Sequence, residues 1–405
     1  MKLCDVTLAY TATSGGIRTY IDNKRAYLAE HTDHEHLLIV PGEEDALEHD
    51  GPLTKQTIAS PILPGCEPYR FFWRPDKIQH ALKEAAPEVV ELGSFYVAPW
   101  PAFSYRRDRR KEGFACLVSG YFHSDIADAY FGAPLRDAFD GWSDVLEWFG
   151  DRLAGAAESG AESFVGSVFE KCDVRLAASP AQAKRLAEYG VEHPVEILPL
   201  GVDIDLFTPD RRSDEFRERL GVDRDTVMMV YAGRLDAEKH PHVLIDAFER
   251  LPKGFKACLV MLGEGPLKDE LRARADKLEG VFVLPYESAA TRFAELLASA
   301  DVYVTAGPHE TFGLSVVEAQ ASGLPVVGVA SGALNERVSP ADGRLGPVND
   351  AQAMADNIVA VARDRSALGA AGREKTVREL SWDRSFEKLL AIYERELAKP
   401  TARKP

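Results

Sequence analysis

Gly307-Pro308-His309-Glu310-Thr311-Phe312-Gly313-Leu314-Ser315-Val316-Val317-Glu318 follows the apolar run 301–305. The run reads as a buried strand and the residues from Gly313 onward as a helix, so the stretch is a strand-to-helix loop. A helix N-terminus presents free N–H groups and the positive end of its dipole, which suit a phosphate. Gly313 lets the backbone approach a ligand closely. Glu310 lies in the loop and Glu318 eight residues on, inside the helix. Carboxylates are repelled by phosphate. The pair is therefore expected to accept hydrogen bonds from hydroxyls on either side of it, sugar and ribose. The plain alternative is a helix with a negative first turn and a solvated Glu318.

The same rhythm extends outward from this loop. Apolar runs at 226–232, 257–262, 281–284 and 325–329 alternate with helical stretches at 242–250, 267–277, 313–322 and 351–363. The first half has runs at 3–9, 36–40, 89–92, 114–118, 174–178 and 195–198, with helices at 16–30 and 180–189. Strands alternating with helices imply parallel sheets covered on both faces. Two such series in 405 residues predict two doubly wound α/β domains, 1–200 and 201–381. The stretch 200–209, LGVDIDLFTP, punctuates the boundary. Residues 382–399 carry the helical stripe Trp382, Phe386, Leu389, Leu390, Tyr393 and Leu397. Ligands of open α/β sheets bind beyond the carboxyl ends of the strands, which directs attention to a cleft between the two domains.

Other loops after strands carry candidate chemistry. Gly233-Arg234-Leu235-Asp236-Ala237-Glu238-Lys239 puts two cations, Arg234 and Lys239, where they can clamp a diphosphate and stabilise it as a leaving group without a metal. Gly263-Glu264-Gly265-Pro266 reads as a tight turn with Pro266 at a helix start. Turn chemistry accounts for it, and a ligand role for Gly263 and Glu264 is the weaker reading. Thr13-Ser14-Gly15-Gly16 opens a helix after the first strand and can close over a charged group. His123 follows the run 114–118 and can bind a sugar hydroxyl or relay a proton, set against a satisfied half-buried histidine.

Composition excludes several classes. Net charge is −16 with 45% hydrophobic residues, an ordinary globular balance that disfavours a nucleic-acid partner. Residues 1–200 carry 20 basic and 31 acidic side chains, and residues 201–405 carry 28 and 33. The less acidic half is the one expected to hold the diphosphate. Cys4, Cys66, Cys116, Cys172 and Cys258 are scattered with no CxxC pair, so neither disulfides nor zinc is expected. Asp5 interrupts the opening residues, so no secretory signal is expected there, and the expected compartment is the cytoplasm. No stretch reaches a membrane span. GxGxxG and GxxxxGK[ST] are both absent.

Two metal-like patterns are set aside: Asp203 and Asp205 in the linker, and His31, His34, Glu35 and His36, which reads as a solvated turn. The basic run Arg106, Arg107, Arg109, Arg110 and Lys111 could face anionic headgroups, with Trp142, Val145, Leu146, Trp148 and Phe149 as an apolar stretch nearby in sequence. The alternative is a solvated loop and a core-facing helix.

Taken together, these motifs resemble the retaining family-4 glycosyltransferases. The resemblance rests on Glu310 to Glu318 in HETFGLSVVE, Gly233-Arg234-Leu235 with Glu238-Lys239, Gly201-Val202-Asp203 with Phe207 and Pro209, Gly263-Glu264-Gly265-Pro266, and Ser14-Gly15-Gly16. It implies the GT-B fold, two Rossmann-like domains facing a cleft, with helix 382–399 crossing back onto the first. It implies Arg234 and Lys239 as the diphosphate clamp and Glu310 as the residue holding the donor sugar. Phe312, Gly313 and Leu314 become the amide cradle and Glu318 the ribose ligand. Gly15 and Gly16 become the mobile glycine loop, and His123 the histidine near the sugar. GPHETFG, 307–313, is most similar to GDP-mannose-dependent α-mannosyltransferases, which implies a GDP-mannose donor, with UDP-glucose next. Pro285-Tyr286-Glu287 stands where relatives more often have a glycine. The acceptor is expected to be a sugar or lipid hydroxyl, the basic run offers a peripheral place on the inner face of the plasma membrane beside the cytoplasmic one, and no metal or cofactor is required. A nucleotide-sugar epimerase and a non-catalytic sugar-nucleotide-binding protein stay open as alternatives.

Overall fold

The computed structural model describes residues 1–11, 15–62, 69–123 and 159–399. Ser14, Cys66 and the aromatic stretch from Trp142 to Phe149 lie outside them. The chain divides into two compact units, Met1–Pro199 joined by the segment from Ser385, and Leu200–Arg384.

The first unit is built on eight strands: β1 (Lys2–Val6), β2 (Glu35–Gly42), β3 (Ala46–Asp50), β4 (Leu53–Ala59), β5 (Val89–Leu92), β6 (Leu117–Phe122), β7 (Val174–Ala177) and β8 (Glu196–Ile197). Their order is β3-β4-β2-β1-β5-β6-β7-β8. All pairs are parallel except β3 with β4. β5 and β6 are buried along their whole length, as parallel strands covered on both faces must be.

The edge strands β3 and β4 do not stand out in the sequence. β3 is wholly exposed and β4 mostly half-exposed, so neither carries an apolar signature. The run 114–118 also shifts. Gly113 takes φ +89° and Phe114 is exposed, which delays β6 to Leu117 and places His123 directly beyond its carboxyl end. His36 departs from the solvated-turn reading, because β2 begins at Glu35 and carries it into the sheet, where it is buried.

The basic run is not a loop but the last turns of helix Pro99–Lys111. Its cations turn largely to their own chain. Asp173 takes Arg106 at 2.7 Å and Arg110 at 3.0 Å, and the Arg109 guanidinium lies 3.9 Å from the Phe114 ring centroid. Cys4, Cys116, Cys172 and Cys258 are buried and unpaired.

The second unit has six parallel strands in the order β11-β10-β9-β12-β13-β14. They are β9 (Val227–Ala232), β10 (Ala257–Leu262), β11 (Val281–Leu284), β12 (Val302–Val304), β13 (Val326–Val329) and β14 (Gly343–Gly346). The outgoing and returning chain run side by side in this unit, with Val202 bridging Ser381 and the Val202 N–H donating to the Leu380 carbonyl at 2.8 Å. Helix Trp382–Leu397 then buries Phe386, Leu389 and Tyr393. No helix among the described residues is long and apolar enough to cross a membrane.

Candidate functional site

In the second unit the loops after β9, β10 and β12 all leave the carboxyl edge of the sheet. Gly263 lies so close to the first of them that a Cβ there would sit 1.9 Å from the Gly233 carbonyl oxygen, so only glycine fits. The Leu235 N–H donates to the Glu264 carbonyl at 2.9 Å, and the Leu267 N–H to the Leu235 carbonyl at 2.9 Å. The two loops therefore brace each other through backbone. The Glu264 side chain is exposed and bonds Lys268 at 2.6 Å, so its part in the site is mainly structural.

Lys239 ends the short 3-10 turn Ala237–Lys239, whose N-cap is Asp236. Its Nζ reaches Glu310 Oε1 at 2.8 Å, with both side chains under one-fifth exposed. Thus two residues 71 apart in sequence meet at the edge of one sheet. The exposed Arg234 guanidinium donates to Asp236 and Glu238, each at 2.5 Å. Burial alone would raise the Glu238 carboxyl, but Lys239 and Arg234 outweigh it and hold it below its ordinary value. Two cations and three carboxylates thus meet here. A diphosphate would compete with the exposed Glu238 for Arg234, while Asp236 stays engaged as the cap of the turn.

Glu310 is itself fixed by its backbone, whose carbonyl accepts the Ala333 N–H at 2.8 Å. Ser331 Oγ donates to the Pro308 carbonyl at 2.7 Å, and Arg337 Nε to the Phe312 carbonyl at 3.1 Å. The Arg337 guanidinium also stacks 4.1 Å from the centroid of the buried Phe312 ring. Gly313 caps helix Leu314–Ala321 at φ +77°, a left-handed conformation that favours glycine. Its carbonyl takes the N–H groups of Val316 and Val317, and no backbone acceptor among the described residues takes those of Leu314 or Ser315.

Glu318 is half-buried one turn along, and no donor among the described residues reaches its carboxylate. Burial pushes its carboxyl up to about 8. A solvated Glu318 is therefore not what the structure has.

In the first unit Gly15 and Gly16 begin helix Gly16–His31 in open space, with nothing within 4 Å of a Cβ at either. Behind them lies a charge network. Lys24 Nζ bridges Asp5 at 2.8 Å and Glu91 at 3.0 Å, all three buried. Tyr20 donates to Glu91 at 3.0 Å, and Tyr393 from the C-terminal helix donates to the same carboxylate. Arg25 donates to His36 Nδ1 at 3.0 Å, which leaves Nε2–H to donate to Asp5 at 2.8 Å, so His36 is neutral.

His123 stands above this network. Its ring is 4.0 Å from that of Tyr121 and 5.0 Å from that of Tyr20, and its buried Nδ1 has no partner among the described residues. Burial holds its pKa down near about 3, so it offers a neutral imidazole. The satisfied-histidine alternative does not match that unpaired nitrogen.

Residues 14–206 match the family described as Glycosyltransferase Family 4, and residues 212–375 that described as Glycosyl transferases group 1. A GDP-mannose-dependent alpha-(1-6)-phosphatidylinositol dimannoside mannosyltransferase of Mycobacterium tuberculosis is 30% identical over 347 residues, 85% of this chain and 83% of that protein. The chain belongs to the family 4 glycosyltransferases. A D-inositol 3-phosphate glycosyltransferase of Xylanimonas cellulosilytica is 35% identical over 250 residues, 58% of each chain. The structure of a sucrose-phosphate synthase from Thermosynechococcus elongatus superposes on this glycosyltransferase with TM-score 0.73 at 19% identity, over 98% of this chain and 99% of that one. The fold is GT-B.

Sequence reasoning overlooked the residues that hold the candidate site in place. Asp236 had a usable signal, an N-cap three residues before Lys239. Ser331 and Arg337 had none, because they come from the stretch beyond β13. The linker reading of Asp203 has a physical basis, since its carboxylate accepts the N–H groups of Asp205 and Leu206 at 3.1 and 2.8 Å.

Proposed function

We propose that this glycosyltransferase moves a hexose, mannose before glucose, from a nucleotide diphosphate sugar to a hydroxyl of a glycolipid, with retention of the α configuration. The observation that carries the reading is the Lys239–Glu310 pair at the carboxyl edge of the second sheet, beside the exposed Arg234 fork. On this reading Glu310 accepts hydrogen bonds from the donor sugar, while Arg234 and Lys239 neutralise the diphosphate. The amides of Phe312, Gly313 and Leu314 face its oxygens. The acceptor oxygen forms the new bond to the anomeric carbon as the bond to the phosphate oxygen breaks. That phosphate oxygen takes the acceptor proton. Positioning and electrostatics then supply the catalysis, with no metal or cofactor. The neutral His123 imidazole is suited to a substrate hydroxyl rather than to a charge.

Preference for GDP-mannose is supported by the donor in the name of the mycobacterial relative. The test is turnover of GDP-mannose and UDP-glucose with an inositol-mannoside lipid acceptor. NMR should find an α product, with the rate unchanged by a chelator. Conversion of the donor without acceptor would point to epimerisation and overturn the transferase chemistry proposed here.

Glu318 supplies a separate prediction. Ribose hydroxyls donate to an ionised carboxylate, so bound donor lowers a pKa that starts near about 8. Nucleotide binding at pH 7 should therefore release a proton, seen as a calorimetric heat that changes with buffer ionisation enthalpy. Because the folded carboxyl holds its proton above the unfolded pKa, stability should fall as pH rises through this window. Glu318→Gln should remove both effects and raise the donor KM about tenfold, the scale of a charged hydrogen bond. Proton release unchanged in Glu318→Gln would assign the group elsewhere.

A further inference from the structure

A cavity of about 620 Å³ opens at the amino edge of the first sheet, beneath the first residues of β6, β7 and β8. His123 follows the opposite, carboxyl end of β6. A six-residue strand separates the two edges by roughly 20 Å. The cavity is thus remote from His123, and its size suits a small-molecule ligand.

Its lining is unusual for a chain of net charge −16. Four cations converge from two helices, a strand and the residues just past the final helix: Arg110, Arg395, Arg175 and Lys399. Three carboxylates share the lining, and each is engaged. Asp173 holds Arg106 and Arg110, Glu196 holds Arg395 at 2.6 Å, and Glu396 holds Arg395 at 3.1 Å and Lys399 at 2.6 Å.

Arg175 is the exception. It is 8% exposed, and its Nε has no hydrogen-bond partner. Its hydrogen bond among the described residues runs from Nη2 to the Glu170 carbonyl at 3.2 Å, and no described carboxylate pairs with it. A guanidinium cannot shed its proton to escape burial, and a buried charge without a counter-charge is costly.

We infer that this cavity binds a phosphate group, with Arg175 as its buried counter-charge and Arg395 and Lys399 at its rim. A guanidinium fork matches two phosphate oxygens, and the neighbouring cations suit a dianion. The phosphate belongs either to a small metabolite or to a phospholipid headgroup. The site is independent of the donor chemistry proposed for the second unit.

The test uses the full chain carrying Arg234→Ala and Lys239→Ala, so that the diphosphate clamp cannot report. Thermal unfolding is followed with inorganic phosphate and pyrophosphate at constant ionic strength. A ligand bound to the folded state raises Tm. Millimolar pyrophosphate should raise it by several degrees, and adding Arg175→Met should abolish the rise. Arg175→Met should also melt above its parent without ligand, because the unpaired charge is gone.

Arg395→Gln with Lys399→Gln, on the exposed rim, should weaken binding at least tenfold and covers the case of a misfolded Arg175 variant. Cosedimentation with phosphatidylglycerol against phosphatidylcholine vesicles separates the sources. Arg175-dependent vesicle binding without a response to free anions assigns a headgroup, and the reverse assigns a metabolite. If neither anions nor vesicles distinguish these variants from their parent, the inference is overturned.

Discussion

Lys239→Ala should lower kcat/KM by about 10²–10³-fold, the range seen when one preorganised charge-stabilising donor is removed from an active site. Lys239 Nζ sits 2.8 Å from Glu310, so the substitution removes the proposed diphosphate cation and also frees the carboxylate from its only ion pair among the described residues. Charge grows on the diphosphate as the bond to the sugar breaks. The loss should therefore fall on kcat more than on donor KM. Stability should change little, because Glu310 keeps some access to water and its backbone remains tied to Ala333. Arg234→Ala should act in the same direction but more on KM, since its guanidinium is exposed and already shared with Asp236 and Glu238. Initial rates across donor concentrations, with circular dichroism melts alongside, separate these outcomes. Wild-type-like turnover in Lys239→Ala would remove the clamp assignment.

Lys24→Met should cost about 3–5 kcal/mol of stability, the scale for breaking a buried ion pair from one side. Asp5 and Glu91 would then face each other across an apolar gap, each buried in the sheet. The pH dependence gives the cause. In the wild type, burial works against the Asp5 carboxylate, but Lys24 and His36 overcome it and hold its pKa below the ordinary value. That contribution is present above the unfolded pKa and is lost as pH falls through the folded one. Without Lys24 the Asp5 carboxyl should instead sit above its unfolded value, and Glu91, which burial already raises, should rise further. The deficit should then grow with pH, and part of it should be recovered at pH 5. Urea titrations at pH 5 and pH 8 measure this. Adding Asp5→Asn and Glu91→Gln should restore most of the loss, and a deficit that stays constant with pH would mean lost packing rather than stranded charge.

The loop from Gly307 to Glu318 was legible in sequence because local rules fix it. A glycine at a left-handed cap, two acids eight apart and a preceding apolar strand need no distant partner to be recognised. The placement of Arg234 and Lys239 in the loop after β9 was legible for the same reason. His36 was not. Three histidines within six residues read as polar, while the residue that buries one of them, Asp5, lies 31 positions away. The arginine run likewise read as one outward patch, because nothing nearby announces that Asp173, 67 residues beyond Arg106, draws in two of its members. Arg337 stacks on Phe312 through a turn no periodicity marks. The edge strands β3 and β4 escaped because an exposed edge has no apolar face to leave a period. Short-range geometry was readable, and charge pairing across the sheet was not.

The Tyr393–Glu91 hydrogen bond spans 302 positions and has a consequence for the order of synthesis. The second unit is one uninterrupted stretch, Leu200–Arg384, and is complete in sequence once Arg384 is made. The first unit is emitted earlier yet must wait. Until the final helix emerges, the Glu91 carboxylate lacks one of its donors and the Tyr20 ring lacks Phe386 beside it. The nascent amino-terminal half therefore holds an unfinished polar core through most of translation. A chain truncated after Arg384 should show a protease-resistant second unit and a first unit that is still readily cut.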